Sequence, residues 1–359
     1  MKLLGLTFFL VLPFIWPTSS SRASGQSTPV WKKTDLACFG KKSELLPVSA
    51  HFFNSESGWI VGSNGELLGN SRAVRIQIKS GTKKCLNVRS TPSQYSSVHF
   101  TSNLKGWIVG SEASSKNVPR GILIETTDGG ITWKDKKLDM ELRANGYGLS
   151  DFFSIYFSNL SNGYILGGTE DAEGKTRGII LTTRDGGSTW KLSFLGEEGV
   201  LFEDIKFCDD NRTGWVVTSH GFIFKTLDGG DSWQKQITKF EGHLSRIAIL
   251  SQTEAWVTSR SSSLLHTKDG GETWNIVPIV LDRQLYESST IWFTPIFFSS
   301  RRDGWIGGSS GLILRTKNSG QNWVVESFSK SDYVYDLSFT GKTGIAIARS
   351  GIFVRTDIE

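Results

Sequence analysis

The hydrophobic residues of this chain fall into many short runs, some alternating with polar residues and some continuous, and turn residues separate the runs. One phrase recurs seven times, beginning in each case with Gly or Ala: GWIVGS at Gly58 and Gly106, GYILGG at Gly163, GWVVTS at Gly214, AWVTSR at Ala255, GWIGGS at Gly304 and GIAIAR at Gly344. A short apolar or alternating run precedes each phrase, and another run follows it. Runs of this length and period predict β-strands.

A second phrase follows the third run of most units. It reads DGGITW from Asp128, DGGSTW from Asp185, DGGDSW from Asp228, DGGETW from Asp269 and, more weakly, NSGQNW from Asn318. Asp followed by two glycines favours a tight turn, because the carboxylate accepts backbone N–H groups and glycine readily takes positive φ. The Trp then begins a fourth strand and supplies a large apolar surface. We therefore expect a structural role for the Asp and Trp of the four full turns, namely Asp128, Trp133, Asp185, Trp190, Asp228, Trp233, Asp269 and Trp274.

Four strands per unit, repeated seven times, predict an all-β fold: a seven-bladed β-propeller of four-stranded antiparallel blades. The last unit ends at GIFVRTDIE, after its third strand, and PVWKK around Trp31 resembles the missing fourth strand. We expect this N-terminal strand to close the ring and remove both exposed edges. The first unit has a third strand in GELLGN but lacks the Asp turn, and reads SRAVRIQIKSGTKKC there.

The spacing between the two phrases identifies insertions. Thirteen residues separate them in three units, as from Trp215 to Asp228, but twenty-one separate Trp107 from Asp128 and Tyr164 from Asp185. The eight extra residues lie between the second and third strands, in EASSKNVPRG and TEDAEGKTRG. Both stretches are polar and carry Lys and Arg, and we interpret them as loops.

The first residues have the pattern of an export signal. Lys2 precedes an apolar stretch from Leu3 to Trp16, and a small-residue site ends at Ala23. We predict a signal peptide over residues 1–23 and a propeller domain over 24–359, with an uncleaved membrane anchor as the alternative. No other stretch is apolar enough to span a bilayer, so no transmembrane span is expected in the mature chain. Loss of Lys2 and Arg22 would lower the formal net charge from +5 to +3, too mild to indicate a nucleic-acid partner.

The cysteines and histidines give few signs of metal or cofactor chemistry. Cys38 and Cys85 both lie in the first unit, and an exported protein allows a disulfide between them, whereas Cys208 is expected to be a buried free thiol. The five histidines are dispersed. We interpret His51 and His99, on two inner strands, as structural residues with satisfied polar atoms, and expect no metal and no cofactor.

The turn pattern Thr-x-Asp-Gly-Gly-x-Thr-Trp resembles the Asp-box, or bacterial neuraminidase repeat, beginning here at Thr126, Thr183, Thr226 and Thr267. Together with the GWIVGS-like phrases in seven units, the chain resembles the photosystem II stability and assembly factor family. The resemblance implies a seven-bladed propeller exported to the thylakoid lumen or periplasm. It also implies an arginine-rich surface that holds a membrane-protein subunit, such as a photosystem II reaction-centre protein.

The Asp-box also occurs in sialidases, which makes a carbohydrate-active enzyme or a carbohydrate-binding propeller the alternative. A sialidase needs an arginine triad, a Tyr nucleophile with a Glu partner, and an Asp acid–base. The usual opening Arg-Ile-Pro phrase is missing, and no set of Arg, Tyr and acid recurs at the inner strands. We therefore expect a monomeric, non-catalytic protein that binds another protein.

The hairpins between second and third strands open on the same face as the connections into the innermost strands. Loops on a rigid scaffold carry recognition, and Arg and aromatic residues are frequent interface anchors. Trp292 has no assigned place in the repeat. The predicted partner-binding residues on this face are Lys116, Arg120, Lys175, Arg177, Arg283, Tyr286 and Trp292, the alternative being ordinary solvated loops with Trp292 covering a blade edge.

Overall fold

The alternating runs form β-strands in the computed structural model. The structure describes residues 31–34, 45–54, 57–64, 71–77, 82–86, 88–89, 91–113, 119–138, 148–170, 173–281, 291–327 and 332–356. All regular secondary structure within these residues is β-strand, arranged as seven four-stranded antiparallel sheets. The predicted signal peptide lies outside the described residues. Among the described residues, no helix is long and apolar enough to cross a membrane.

The strands follow one another in chain order. After β1 (Lys32–Thr34), blade 1 holds β2 (Leu46–Phe52), β3 (Ser57–Ser63), β4 (Ser71–Gln77) and β5 (Lys83–Leu86), and blade 2 holds β6 (Gln94–Phe100), β7 (Gly106–Ala113), β8 (Pro119–Thr126) and β9 (Lys134–Asp135). Blade 3 holds β10 (Gly148–Phe157), β11 (Gly163–Glu170), β12 (Thr176–Thr183) and β13 (Lys191–Glu198), and blade 4 holds β14 (Phe202–Phe207), β15 (Gly214–Thr218), β16 (Ile223–Thr226) and β17 (Gln234–Gln236). Blade 5 holds β18 (Leu244–Ile249), β19 (Ala255–Ser259), β20 (Ser263–Thr267) and β21 (Asn275–Pro278), and blade 6 holds β22 (Phe293–Phe298), β23 (Gly304–Gly308), β24 (Ile313–Thr316) and β25 (Val324–Ser327). Blade 7 holds β26 (Val334–Thr340), β27 (Thr343–Ala348) and β28 (Gly351–Arg355).

The ring closes as the sequence predicts. The first strand of each blade is innermost and contacts the first strand of the next blade, including β26 against β2. Strand β1 pairs antiparallel with β28, placing Lys32 opposite Val354 and Thr34 opposite Ile352, and so becomes the fourth strand of blade 7. The predicted seven-bladed propeller and its closure by the N-terminal strand are confirmed.

The prediction for the first blade is wrong in its third strand. GELLGN spans residues 65–70, which lie outside the described residues, and the third strand is β4, the SRAVRIQ segment that was expected to replace the Asp turn. Ala73, Val74 and Ile76 are almost completely buried, while Arg75 and Gln77 point outward. This core-facing apolar set, rather than GELLGN, fixes the strand.

The two polar insertions are not simply loops. In blade 2, Glu112 pairs with Arg120 and Ala113 with Pro119, so both strands of the hairpin are eight residues long. In blade 3, Glu170 pairs with Thr176 in the same way. Because each insertion adds residues on both sides of its turn, the antiparallel register continues and the strands lengthen.

Neighbouring blades meet where the two repeated phrases touch. The aromatic residue of one blade's second strand packs on the second glycine of the next blade's Asp-box: a Cβ added to Gly130 would lie 2.1 Å from the Trp59 ring, and one added to Gly320 would lie 2.4 Å from Trp256. Gly130 also has a φ of +82°, which disfavours any side chain. The buried indole of Trp59 therefore occupies the space that a residue other than glycine would need.

A buried polar network holds the closing strand. The indole N–H groups of Trp31 and Trp305 both donate to Glu326 Oε2, each at 3.1 Å. Arg355, only 2% exposed, binds the other oxygen of Glu326. Arg315 makes a bidentate pair with Asp303 at 2.8 and 2.6 Å and lies 3.5 Å from Glu326. Glu326 thus links the fourth strand of blade 6 to β28 and to the residue that precedes β1.

The first prediction concerns the glycine between blades. Gly130→Ala should lower the free energy of unfolding by about 1–2 kcal/mol for positive φ and by about 1–3 kcal/mol more for the clash with Trp59. Gly199→Ala is the matched control, because Gly199 has a φ of +76° but nothing within 4 Å of an added Cβ. Urea unfolding measures both variants. Equal losses in the two would show that the contact with Trp59 contributes nothing.

The second prediction concerns ring closure. Glu326→Ala removes the carboxylate that buried Arg355 binds and the acceptor of two buried indole N–H groups, and should lower the free energy of unfolding by about 3–5 kcal/mol. Glu198→Ala removes a half-exposed partner of Lys175 and should lose less than about 1 kcal/mol. Thermal or urea unfolding distinguishes them. A loss at Glu326 as small as at Glu198 would contradict a closing role for the network.

Candidate protein-binding face

The topology gives the disc two distinct faces. The hairpins between second and third strands and the connections into the innermost strands lie on one face, here called the upper face. The hairpins between first and second strands lie with the Asp-boxes on the opposite, lower face. The described members of the predicted partner-binding set lie on the upper face: Arg120, Lys175, Arg177 and Trp292.

The Asp-box carboxylates of the lower face are used by their own turns. Asp185 accepts hydrogen bonds from the Thr183 hydroxyl at 2.7 Å, from the Thr189 N–H at 2.9 Å and from the Thr189 hydroxyl at 2.6 Å. The bond from the Thr189 hydroxyl is the main cause that lowers the pKa of Asp185 to about 2. The same bonds recur around Asp128, Asp228 and Asp269. A carboxylate held ionised in this way is a poor proton donor at neutral pH.

The boxes also fasten the lower face. The first glycine N–H of a box donates to a carbonyl in the lower hairpin of the same blade, as from Gly129 to Leu104 at 2.8 Å and from Gly186 to Ser161 at 2.8 Å. The box Trp lies in the blade interface, where the Trp133 ring meets Trp59 edge-on with centroids 5.5 Å apart. Trp190 and Trp274 are buried, and Trp133 and Trp233 are half-buried.

The predicted blade 2 arginine is already bound. Arg120 is exposed and donates to Glu112, with Nε at 3.0 Å from Oε1, and Arg89 lies 2.7 Å from the other oxygen. Burial alone would raise the pKa of Glu112, but the hydrogen bond from Arg120 and the charge of Arg89 outweigh it and lower the pKa below its usual value. A partner acid would have to compete with Glu112 for Arg120.

The blade 3 cations also have partners within the chain. Lys175 lies 2.9 Å from Glu198, and Arg177 donates to the Gly196 carbonyl at 3.3 Å. Lys116, Arg283 and Tyr286 lie outside the described residues. Trp292 is 47% exposed and is anchored through its backbone to Ser309. Because Trp292 belongs to blade 6, the structure does not bring it next to the arginines of blades 2 and 3.

A second group on the upper face surrounds the mouth of the central channel, and of its members the sequence predicts only Trp292 as a binding residue. We call it the mouth cluster: Arg246, Trp292, Thr294, Tyr333, Tyr335 and Arg349. The Thr294 hydroxyl lies 2.6 Å from the Tyr333 hydroxyl, the rings of Tyr333 and Tyr335 are 4.8 Å apart, and the Arg349 N–H donates to the Tyr333 carbonyl at 2.9 Å. Arg246 joins the cluster through Thr258, whose hydroxyl accepts the Arg246 N–H and donates to the Thr294 carbonyl.

The arginines of this cluster form no direct ion pair with an acid among the described residues, although the charge of Arg246 opposes the burial that raises the pKa of Asp336. Arg246 donates to the carbonyls of Ser245 at 2.9 Å and Glu203 at 3.4 Å but forms no ion pair there, and neither does exposed Arg349. Burial raises the pKa of Tyr335, and the charge of nearby Arg349 opposes that shift. Two tyrosines at the start of an inner strand, beside an Arg in the facing hairpin, were the sequence signal that could have revealed the cluster.

Comparison with known families identifies the propeller. Residues 77–199 and 192–288, together more than half of the chain, match the sequence model of the family described as photosynthesis system II assembly factor YCF48. The chain belongs to the YCF48 family. The predicted resemblance to photosystem II assembly factors is therefore confirmed. A search of curated proteins returned no match.

Solved structures of YCF48 proteins share the fold of this family member. One, titled "YCF48 bound to D1 peptide", matches 93% of this chain and 98% of its own, with a TM-score of 0.65 and 19% identity. Another, YCF48 from Cyanidioschyzon merolae, matches 91% of this chain and 98% of its own, with a TM-score of 0.63 and 17% identity. At these identities the likeness establishes the propeller and does not transfer individual binding residues.

The cysteines of this YCF48-family chain differ in state. Cys85, in β5, is disulfide-bonded. Cys38 lies outside the described residues, so its pairing with Cys85 stays a prediction. Cys208 is a buried free thiol, as expected, and burial raises its pKa to about 12. Such a thiol is unreactive at neutral pH.

The third prediction follows from the Asp-box carboxylates. Their pKa of about 2 lies below the ordinary 3.8, so their stabilising contribution is present above about pH 4 and is lost as the pH falls through about 2. Asp185→Asn should keep the turn, because Asn318 accepts the equivalent bonds in blade 6. It should cost less than about 1 kcal/mol at pH 7 and flatten the fall between pH 4 and 2.

Urea unfolding at pH 7, 4 and 2.5 tests this, with Asn318→Asp as the reciprocal variant that should steepen the fall. An Asp185→Asn protein with the same pH dependence as the unaltered chain would show that the carboxylate charge does not stabilise the turn.

Proposed function

We propose that this protein assists photosystem II assembly by holding a segment of the D1 reaction-centre protein on its upper face. Membership of the YCF48 family supports the biological role, and a relative in that family has been solved with a D1 peptide. The observation that carries the proposal is the mouth cluster, in which two arginines that form no direct ion pair among the described residues adjoin two tyrosines and an exposed Trp.

The chemistry of the cluster suits a peptide that carries a carboxylate. Guanidinium groups bind carboxylates through paired, charge-assisted hydrogen bonds, and aromatic residues are frequent binding hot spots. Arg246 has already lost much of its freedom, because carbonyls of its own strand and the preceding blade hold it. A group fixed in advance binds with a smaller loss of conformational entropy.

The predicted cations that already pair with acids fit a secondary role. Arg120 is bound to Glu112 and Lys175 to Glu198, whereas Arg177, like Arg246, donates to a backbone carbonyl. A ligand carboxylate at Arg120 or Lys175 replaces an existing acidic partner and gains only the difference between the two interactions. The long hairpins of blades 2 and 3 would then limit where the peptide leaves the upper face.

We also propose that the protein acts after export, in the thylakoid lumen or a periplasm, and without catalysis. The predicted signal peptide supports export, and so does the disulfide at Cys85, because disulfides persist in oxidising compartments. The engagement of the Asp-box carboxylates within their own turns supports a binder rather than a glycosidase.

The fourth prediction tests the proposed partner and its site. Overlapping synthetic peptides covering D1 are titrated against the full chain by fluorescence anisotropy. Arg349→Gln and Arg246→Gln should each lower the affinity for the peptide by about tenfold or more, because each removes a charge-assisted hydrogen bond of about 1.5–3 kcal/mol. The paired variant Arg120→Gln with Lys175→Gln is the matched control, because both cations already pair with acids, and it should weaken binding less than about threefold.

The outcomes separate the role from the site. If no D1 peptide binds the unaltered protein, the proposed partner is wrong. If the paired hairpin variant loses binding while the Arg349 and Arg246 variants keep it, the partner stands and the mouth cluster is wrong. Thermal melting of each variant verifies that the fold is intact.

A further inference from the structure

The innermost strands line the channel with one residue per blade at each level. One such level is defined by the residues that pair, in the antiparallel register, with the aromatic residue of the second strand. His51 pairs in this way with Trp59, and His99 pairs with Trp107. Lys206 occupies the same place in blade 4, opposite Trp215. Two histidines that are 48 positions apart in the sequence therefore lie on adjacent strands at one height in the channel.

The two imidazoles are close together. Their ring centroids are 4.9 Å apart, with 61° between the ring planes. Neither side chain forms a hydrogen bond or ion pair with a described residue, and neither has a nitrogen among the buried unpaired polar atoms of the described residues, so the expectation that their polar atoms are satisfied stays a prediction. Both are half-buried and keep some accessible surface, as groups lining a narrow channel do.

The geometry points to a binding site for one divalent transition-metal ion of the zinc or copper class, held by His51 and His99, with solvent completing the coordination. Imidazole nitrogens bind such ions at about 2.0–2.1 Å, which places the centroids of two rings on one ion about 4.5–5.5 Å apart. The observed 4.9 Å falls within that interval. Imidazole suits both zinc and copper, and copper(II) binds such sites more tightly than zinc.

The surroundings keep the rings ready for a metal. Burial lowers the pKa of His51 to about 4 and that of His99 well below its usual value, so both are neutral at pH 7 and offer a lone pair. Aromatic rings fix their positions: His51 meets Phe53 at 5.8 Å and His99 lies parallel to Phe157 at 5.7 Å.

The charges around the pair are of both signs. Lys206 lies close enough to act on His99 and opposes a bound cation, although its ammonium also lies over the Tyr156 ring at 4.7 Å and 3.8 Å from Asp204. Asp336, one level above, accepts the N–H of Ala50 beside His51 at 2.9 Å. No group of three or more His, Cys, Asp or Glu among the described residues is placed so that it could hold a metal ion. The ion would therefore have two protein ligands and be exchangeable.

The fifth prediction is a metal titration of the chelator-treated full chain with ZnCl2 by calorimetry at pH 7.5. We expect one ion per chain and a melting temperature that rises with zinc concentration. His51→Gln and His99→Gln should each weaken binding by more than the roughly 10–100-fold lost with an outer-shell partner. His243→Gln is the control, because His243 lies outside the pair, beside Glu203, and should leave the affinity unchanged.

A second measurement uses only the unaltered protein, so it does not require that the variants fold. Copper(II) added at one equivalent to the unaltered chain should give an electron paramagnetic resonance spectrum with splitting from two imidazole nitrogens. Absence of zinc binding at millimolar concentration, unchanged affinity in His51→Gln and His99→Gln, or a copper spectrum without two such nitrogens would each overturn the site.

Discussion

The contact between a buried aromatic ring and the second glycine of the next Asp-box sets the spacing of the blades. The ring of Trp59 fills the space where Gly130 lacks a side chain, and Trp107 does the same at Gly187. The box can offer this surface because Thr and Asp side chains hold its backbone in the positive-φ conformation that only glycine takes easily. The two repeated phrases are therefore the two halves of one interface, contributed by different blades.

This pairing explains why the repeat fades where it does. Blade 7 has Ile345 in place of the aromatic, and the blade that follows it, blade 1, has no Asp-box. The two halves are missing together, and an aliphatic cluster containing Ile345, Ile60 and Val74 fills the interface instead. On the other side of blade 7, Trp305 has no box to cover because blade 7 is completed by β1. There the indole donates to Glu326, which substitutes a polar network for the missing turn.

The sequence predicts much of this architecture because each repeat gives an independent indication of the same four-stranded unit. Strand number, the Asp turns and the closing role of the segment at Trp31 all follow from repeated spacing. The third strand of blade 1 is not predictable from the repeat, because that unit has no Asp turn to mark where the strand ends. The buried run containing Ala73 and Ile76 lies further along the chain than the segment that the repeat indicates. The insertions have the composition of loops, and polar composition does not distinguish a solvated hairpin from a loop. The pairing of Glu112 with Arg120 shows that the blade 2 insertion extends a hairpin.

The functional groups were harder to predict, since each is assembled from distant parts of the chain. Trp31 and Glu326 are 295 positions apart, and the Arg246 and Arg349 of the mouth cluster lie on different blades. Periodicity places a residue on a strand but does not say which side chains lack partners. On the lower face, the Asp-box carboxylates and the hairpin carbonyls accept hydrogen bonds from the Asp-boxes themselves. These polar groups therefore already have partners within the chain. On the upper face the hairpins differ in length and the arginines at the channel mouth form no direct ion pair with an acid among the described residues. This contrast is why we propose recognition on the face that the repeated turns leave free.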